Sequence, residues 1–339
     1  MKTYVGLDVS QKVTVICVVD DAGEVTWEGT CESNPASILT TLTRRAPKSD
    51  LIAFETGPLA VWHWHALKNA GLPVVCLHAR HVHAAIALQV NKTDRNDAFA
   101  IAQVARSGWF RPVEMKSYDA HRIRLLLTAR TRVVSMRTTL YSQIRGVLKT
   151  FGIVLPPGRG AAFERLVREA TSQDDYLESV VGSLLDIWCR VSDDLRRYNR
   201  DLERLARASD ICRNLMTTPG IGTLTALAYM SAIDDPSRFR RSEDVGAYLG
   251  LTPRRYQSGE VDRSGGISKC GDRMTRSLLF EAAHILLTRS KEDNYLKDRG
   301  RGLARRIGPK KAKIAVARKL AVVMHRMWMN EVLFNPSPA

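Results

Sequence analysis

The chain has 339 residues, of which 45% are hydrophobic and 25% are charged, as in an ordinary globular protein. That composition excludes a fibre or a disordered chain. Lysine and arginine total 51 against 35 aspartate and glutamate, which gives a formal net charge of +16. Such an excess favours a polyanionic partner, because phosphates neutralised by cationic side chains release their condensed counterions. No apolar stretch is long enough for a membrane-spanning helix.

The first 110 residues alternate between short β-rich segments and segments with helical periodicity. Strands are predicted over 3–9, 13–19, 24–30, 51–55 and 72–78, and helices over 35–46, 59–70 and in the sequence up to about Gly108. Short polar turns join the first three strands, so these form an antiparallel meander. The order βββαβαβα is the RNase H-like order, and it predicts a mixed α/β sheet domain over 1–115.

The middle third, 116–208, has the heptad repeat of a helical coiled-coil scaffold. One seam position is filled by Leu177, Leu184, Val191, Tyr198 and Leu205, and the other by Val181, Trp188, Leu195 and Leu202. An earlier helix repeats Leu126, Val133, Leu140 and Val147, with Ile144 and Phe151 extending its stripe. The segment "LPPGRG" separates the two, which predicts a long helical hairpin. A helix pair within one core and an intermolecular bundle both fit this pattern.

The last third, 209–339, is predicted to be mainly helical. Two helical segments flank Pro219-Gly220-Ile221-Gly222, which is the shape of a helix-hairpin-helix. Backbone N–H groups at Gly220 and Gly222 suit a phosphate, although a plain helix–turn–helix packing unit is an equal alternative. Residues 297–319 contain ten lysines or arginines and one acid, a density that favours contact with nucleic acid over a solvated surface.

Four acids stand out against this basic background. Asp8 lies within an apolar first strand, and Glu55 ends the similarly apolar fourth strand. In the RNase H-like order these strands are neighbours. Thr93 is a suitable N-cap, so Asp94 and Asp97 fall in the first turn of the next helix, on one face. Four carboxylates in one cleft repel one another unless divalent cations neutralise them, which predicts a Mg²⁺ or Mn²⁺ site. Acids paired with arginine are the alternative.

The motifs "GLDVS", "AFETG" and "KTDRNDA" resemble those of the DEDD transposases of bacterial insertion sequence family one-ten. Their first domain is similar to the RuvC junction resolvases. The stretch from "TTPGIGTLTA" to "GDRMTRSLLFEAA" resembles the second domain of the same family, so the likeness runs along almost the whole chain.

This resemblance implies that Asp8, Glu55, Asp94 and Asp97 are the catalytic, metal-binding acids and that Ser258 is the serine nucleophile. It further implies double-stranded DNA as substrate, a noncoding bridge RNA as guide, and a dimer to tetramer joined through helices. The active site would combine the acidic domain of one subunit with the serine domain of another. From the residues alone, "QSG" reads as an ordinary turn, and Ser264 and Ser268 compete with Ser258.

The neighbourhood of Ser258 is rich in cations that could position a DNA backbone. Five are candidates for nucleic-acid binding: Arg254, Arg255, Lys269, Arg273 and Arg276. The histidines at 78, 81 and 83 form a tempting cluster, but no thiolate or fourth ligand lies near them, which favours a surface or phosphate-facing role. The six cysteines are scattered without a C-x-x-C pair, so neither a zinc ribbon nor a disulfide framework is expected.

Three functions therefore compete. The first is a transposase or recombinase that exchanges DNA strands through Ser258, guided by RNA. The second is a RuvC-like junction-resolving endonuclease, in which water activated by metal attacks. The third is an architectural DNA-binding protein without catalysis, which leaves Asp8 in an apolar strand unexplained. The chain starts without a signal peptide, so we expect a cytoplasmic location at the bacterial nucleoid.

Overall fold

The computed structural model describes residues 2–79, 82–83 and 93–337. The chain folds into two compact units, Met1–Lys116 and Ser117–Ala339. The further division between scaffold and last domain at residue 208 stays a prediction. Among the helices that the structure describes, none has both the length and the apolar character needed to cross a membrane.

The first unit contains a five-stranded mixed sheet with the order β3-β2-β1-β4-β5. Its elements are β1 (Tyr4–Val9), β2 (Val13–Val19), β3 (Val25–Glu32), α1 (Pro35–Arg45), β4 (Leu51–Glu55), α2 (Ala60–Asn69), β5 (Val74–Leu77) and α3 (Asp94–Ser107). Strand β1 pairs antiparallel with β2 and parallel with β4. The predicted α/β sheet, its meander and its strand order are confirmed. The segment before α3 lies mostly outside the described residues.

Alternation along β1 divides its side chains between the two faces of the sheet. Val5 and Leu7 are buried with Phe54 in the core on one face. On the other face Tyr4 packs against Ala98 and Ala102 of α3. The sheet is therefore covered on both faces at β1 and β4, which explains why these two central strands are largely apolar, whereas the edge strand β3 is polar and partly exposed.

The second unit is mostly helical. Its elements are α4 (Tyr118–Thr150), α5 (Ala161–Thr171), α6 (Asp175–Ala208), α7 (Asp210–Met216), α8 (Thr223–Ile233), a 3₁₀ turn (Pro236–Arg238), α9 (Asp244–Tyr248), β6 (Pro253–Ser258), β7 (Val261–Ile267), α10 (Arg273–Thr288), α11 (Tyr295–Ile307) and α12 (Pro309–Asn330). Helix α8 is buried at its centre, where the Tyr229 hydroxyl donates to the Ala321 carbonyl at 2.7 Å. The helix-hairpin-helix shape is confirmed as α7 and α8, whereas the hairpin of β6 and β7 was not predicted.

The long helical hairpin is confirmed as α4 and α6, but the heptad assignment is only partly right. Leu184 is half-buried and Leu205 is exposed, while their neighbours Leu185 and Ala206 are buried. Leu185 and Ala206 each follow a buried seam residue, Val181 and Leu202, by four positions, so the helix buries the wider stripe of a globular core rather than a strict two-position seam. In α4, likewise, the predicted Phe151 is exposed. The short helix α5, packed between the two, was not predicted.

Replacement of Gly6 by alanine is expected to destabilise the first unit by about 2 kcal/mol, the range for overpacked sites. A Cβ at Gly6 would lie 2.1 Å from the Ala98 carbonyl oxygen and 2.5 Å from the Ala102 nitrogen, so α3 would be pushed off the sheet. The matched control is Gly182→Ala in α6, where a Cβ meets nothing within 4 Å. That change should stabilise the helix by about 0.5–1 kcal/mol. Chemical denaturation measures both, and equal stability of Gly6→Ala and wild type would contradict the close packing.

Candidate functional site

Two of the predicted acids stand at the ends of neighbouring parallel strands. The parallel register between β1 and β4 ends with Leu7 opposite Phe54, directly before Asp8 and Glu55. Both acids are half-buried. Adjacent strands lie about 4.8 Å apart, so the backbone places these two residues side by side at one edge of the sheet.

Both acids also lie on the face of the sheet that α3 covers. Asp8 follows Gly6 by two residues, and Gly6 is the point of closest approach to α3. Glu55 follows Ala53 by two residues, and Ala53 packs with Ile101 of α3. Because strand side chains alternate with a period of two, Asp8 and Glu55 share the face of Gly6 and Ala53.

Helix α3 runs antiparallel to β1, so its first turn lies towards the strand ends that carry the acids. Near its start Arg95 forms an ion pair with Glu28 of β3. Near its end the Gln103 side-chain amide donates to the Gly23 carbonyl at 2.6 Å, in the turn between β2 and β3. Thr93 is the N-cap, as predicted, and its Oγ1 accepts from the Asn96 N–H at 3.2 Å.

The first turn of α3 thus carries Asp94 and Asp97 to the same edge. Asp94 is exposed, whereas Asp97 is half-buried. The Asp97 Oδ1 atom is buried, and no described residue forms a hydrogen bond with it. Arg95, the cation next to these acids in sequence, pairs with Glu28 instead. A buried carboxylate oxygen without a partner is costly, so this atom is suited to a cation.

The cysteines near this edge remain thiols. Burial, with a smaller contribution from the Glu28 carboxylate, raises the pKa of Cys17 to about 11. Burial and then the charge of Glu55 raise the pKa of Cys76 to about 12. Both thiols are buried in the packed core, Cys76 on the face of the sheet opposite α3, so the donors available at this edge are carboxylate oxygens. Oxygen donors of this kind suit hard divalent cations.

Within the described part of the chain, no three histidine, cysteine, aspartate or glutamate side chains stand close enough together to hold a metal ion. The backbone brings the four acids to one edge of the sheet, and their closure around an ion stays a prediction. His78 and His83 are described and belong to no such group, and His81 lies outside the described residues.

Ser258 is the last residue of β6, at the tip of the exposed hairpin. It pairs with Val261 across the two-residue loop Gly259-Glu260, and Gly259 has a φ of +53°. Such a loop requires the left-handed region, which explains the glycine. Among the described residues, none forms a hydrogen bond with the Ser258 side chain. In contrast, the Ser268 hydroxyl accepts from the Cys270 N–H at 3.4 Å.

The base of the hairpin is rigidly held. An Arg276 N–H group donates to the carbonyls of Leu249 at 3.0 Å and Cys270 at 2.7 Å. A Cβ at Gly271 would lie 2.0 Å from the Tyr248 carbonyl oxygen, so the chain segments on either side of the hairpin are in contact there. Arg276 therefore has a structural role, whatever else it binds.

The other predicted cations divide into two groups. Arg255 forms two hydrogen bonds with Asp262 across the hairpin, at 2.9 and 2.8 Å, and Arg254 donates to the Ser268 carbonyl at 3.1 Å. Lys269 and Arg273 are exposed, and their side chains have no partner among the described residues. These two side chains are the most available to a phosphate.

The two glycines of the helix-hairpin-helix differ in environment. Gly220 has a φ of +87°, and a Cβ there would lie 2.5 Å from the Ala282 carbonyl oxygen of α10. Gly222 is exposed and is the N-cap of α8. Gly220 is thus required by packing, whereas the free N–H groups at the start of α8 follow Gly222.

Sequence reasoning missed the β hairpin that carries Ser258. A signal was present in "RRYQSGEVDRS", where β-forming Tyr256 and Val261 flank a glycine-containing loop of two residues. The segment is exposed on almost every residue, so it lacks the apolar alternation by which the strands of the first unit are identified.

Comparison with known proteins assigns the chain to a family. Residues 212–298 match the model of the Transposase IS116/IS110/IS902 family, and residues 5–153 match a second transposase model, that of the IS110 DEDD transposases. The chain is similar to the transposase for insertion sequence element IS1111A of Coxiella burnetii, with 30% identity over 324 residues, 94% of this chain and 87% of the relative. It is also 30% identical over 201 residues to the transposase for IS1328 of Yersinia enterocolitica, 59% of this chain and 60% of the relative.

Among solved structures, RuvC of Thermus thermophilus is similar at 18% identity and a TM-score of 0.27, over 33% of this chain and 99% of that one. The assignment rests on the sequence matches, which reach both compact units. The chain belongs to the IS116/IS110/IS902 family of transposases, enzymes that cut and rejoin DNA.

Proposed function

We propose that this transposase exchanges DNA strands through a covalent serine intermediate, assisted by divalent cations and directed by a noncoding bridge RNA. The main support for the proposal comes from the edge of the sheet in the first unit. There Asp8 and Glu55 lie near the ends of adjacent strands, and the buried Asp97 Oδ1 in the first turn of α3 has no described partner.

The residues present suit a hard cation. Asp8, Glu55, Asp94 and Asp97 would hold Mg²⁺, or Mn²⁺ in its place, because they offer oxygen donors alone and the nearby thiols stay protonated. When bound, such ions stabilise the attacking and leaving oxygens of a phosphodiester. The four carboxylates would hold the ions in place, on the ends of two strands and the first turn of α3.

Ser258 is the proposed nucleophile. Its Oγ forms a bond to the phosphorus of a DNA phosphodiester, one P–O bond of the backbone breaks, and the proton lost by the serine passes to the leaving hydroxyl. A DNA hydroxyl then attacks the same phosphorus, the bond between the Ser258 Oγ and phosphorus breaks, and the proton lost by the attacking hydroxyl passes to the serine oxygen. The exposed tip of the hairpin supports this role, because a duplex can reach the hydroxyl there.

Cations around the hairpin would position the DNA. Lys269 and Arg273 are exposed and without a side-chain partner in the described part of the chain, so they are the first candidates for phosphate contacts. Arg254, Arg255 and Arg276 would contribute from the hairpin and its base. The N–H groups after Gly222 are a further candidate for a phosphate contact.

The acids and Ser258 lie in different compact units. We propose, with the family resemblance, that units from different subunits combine into one active site in a dimer or tetramer. Exposed apolar residues on the long helix α6, Val180 and Ile187, are seven residues apart and support association through helices.

Asp97→Asn is expected to reduce DNA cutting and strand transfer by about a hundredfold or more, because removal of a metal ligand costs at least as much as loss of a supporting residue. Asparagine keeps the size of the side chain, so folding should be unchanged. Strand transfer on a labelled element end is the measurement, with a titration of Mg²⁺ and Mn²⁺. The matched control is Glu24→Gln, an exposed acid of the same unit. Full activity of Asp97→Asn, Asp8→Asn and Glu55→Gln would refute the metal site.

Ser258→Ala is expected to abolish the covalent protein–DNA adduct, whereas Ser264→Ala and Ser268→Ala should retain it. The adduct is detected by denaturing gel electrophoresis of end-labelled DNA after the reaction is stopped with detergent. The two other serines are matched controls, because they lie in or beside the same hairpin. If wild-type protein cuts DNA without any adduct, attack by water replaces the serine pathway.

RNA guidance predicts that purified protein with element ends and target DNA alone is inactive. Addition of the RNA transcribed from the noncoding flank of the element should restore strand transfer. A transcript with altered target-pairing loops, matched in length, should redirect insertion to the complementary site. Equal activity with and without RNA would leave recognition to the protein alone.

A further inference from the structure

A deep cavity lies beside the serine hairpin, within the second unit. Helices α11 and α12 meet at Gly308, and the cavity between them and the end of β7 has a volume of about 700 Å³. Its apolar lining includes Leu296, Ile314 and Val322. Ligand sites in proteins typically have volumes of about 300–1,000 Å³, so this cavity is large enough for a compact group.

The wall of the cavity is strongly cationic. Arg299, Lys311, Arg318 and Lys319 line it. Glu243 is the one acid among its described lining residues, and that carboxylate forms an ion pair with Arg326. Apolar lining residues next to cations are complementary to a ligand that has a planar apolar group beside a negative charge.

A second cavity adjoins the first. Its volume is about 400 Å³, and it is lined by Tyr295, Val323 and Leu333. Arg299 and Lys319 line both cavities and therefore stand between them. An apolar cavity is thus followed by cations and then by a second apolar cavity. This order matches the order of base, phosphate and base along a single strand of nucleic acid.

We infer that these two cavities bind an unpaired segment of DNA next to the phosphodiester that the serine attacks. One base enters the larger cavity, the following phosphate contacts Arg299 and Lys319, and the next base enters the smaller cavity, which is lined by Tyr295, a ring already stacked on Phe334. The assignment of the strand as DNA rests on the proposed function, because residues 264–267 of the serine hairpin form part of the cavity wall.

Duplex DNA would not fit this arrangement, since its bases are stacked and inaccessible to a cavity. The structure therefore assigns to the protein a preference for unpaired strand at this site, in addition to the duplex contacts around the hairpin. A nucleotide held open here would keep a cut end apart from its former partner, which favours exchange over simple rejoining.

The test compares two charge-matched double variants of the full-length protein. Arg299→Ala/Lys311→Ala removes two cavity cations, and Arg305→Ala/Lys310→Ala removes two exposed cations of the same helices that do not line the cavities. Fluorescence anisotropy with an end-labelled single strand should show binding about tenfold weaker for the cavity pair, and within about twofold of wild type for the control pair. With duplex DNA the two variants should bind alike.

A second variant tests entry of the base itself. Ala315→Phe fills the larger cavity without a change of charge. Wild-type protein should bind a strand with one abasic site several-fold more weakly than the intact strand, and Ala315→Phe should bind both strands equally. Circular dichroism checks that Ala315→Phe folds. If it does not fold, the two double variants that remove cations still test whether the cavity binds the strand.

If the cavity double variant and the control double variant weaken single-strand binding equally, the inference is overturned, and the cations form a general electrostatic surface. Indifference of wild type to the abasic site would also overturn it. If an RNA strand of the same sequence binds as tightly and loses as much affinity in the cavity pair, the assignment to DNA is wrong. Binding is measured without cleavage, so its result does not depend on formation of the covalent adduct. A missing adduct refutes the serine pathway and leaves the cavity result unaffected.

Discussion

The close approach of helix α3 to the sheet at Gly6 is the constraint on which the candidate site depends. With glycine at this position, the Ala98 carbonyl lies against β1, and the helix covers the two strands that carry Asp8 and Glu55 near their ends. The direction of the helix is fixed by contacts at both of its ends, with Glu28 and with the turn at Gly23. The ends of these two strands and the first turn of α3 are thereby brought to the same edge of the sheet, where closely spaced carboxylates would need a compensating charge.

The residues around that edge determine which positive charge can compensate the carboxylates. Arginine at position 95 is turned towards β3, and the thiols of Cys17 and Cys76 are held in their neutral form by burial. What remains is a set of oxygen donors on rigid elements, with Asp97 presenting a buried oxygen to the site. Rigid strands and a capped helix position ligands more accurately than loops do. The serine, in contrast, is on an exposed hairpin tip, where it can be presented to a large substrate.

Much of the first unit could be predicted from sequence because its strands are short, apolar and separated by polar turns, and the acids interrupt that pattern visibly. The seam of α6 was predicted with errors at Leu184 and Leu205, since a two-position heptad ignores the wider buried stripe of a helix that packs in a globular core. The hairpin around Ser258 could not be identified in the same way, because exposed strands carry no burial signal. The cavities beside it arise from residues between 243 and 337, and only tertiary packing brings those together.

The basic run 297–319 shows why charge density alone is a coarse guide to function. Lys297 is buried, and its ammonium group donates to the carbonyls of Ser290 and Glu292 and pairs with Asp293, so it stabilises a loop. Arg301 shares the same aspartate. Two residues after Lys297, Arg299 lies between two apolar cavities together with Lys319. A uniform cationic face would attract any polyanion, whereas cations next to apolar cavities distinguish an unpaired strand from a duplex. The fold therefore converts part of a general electrostatic attraction into a preference for one state of the substrate.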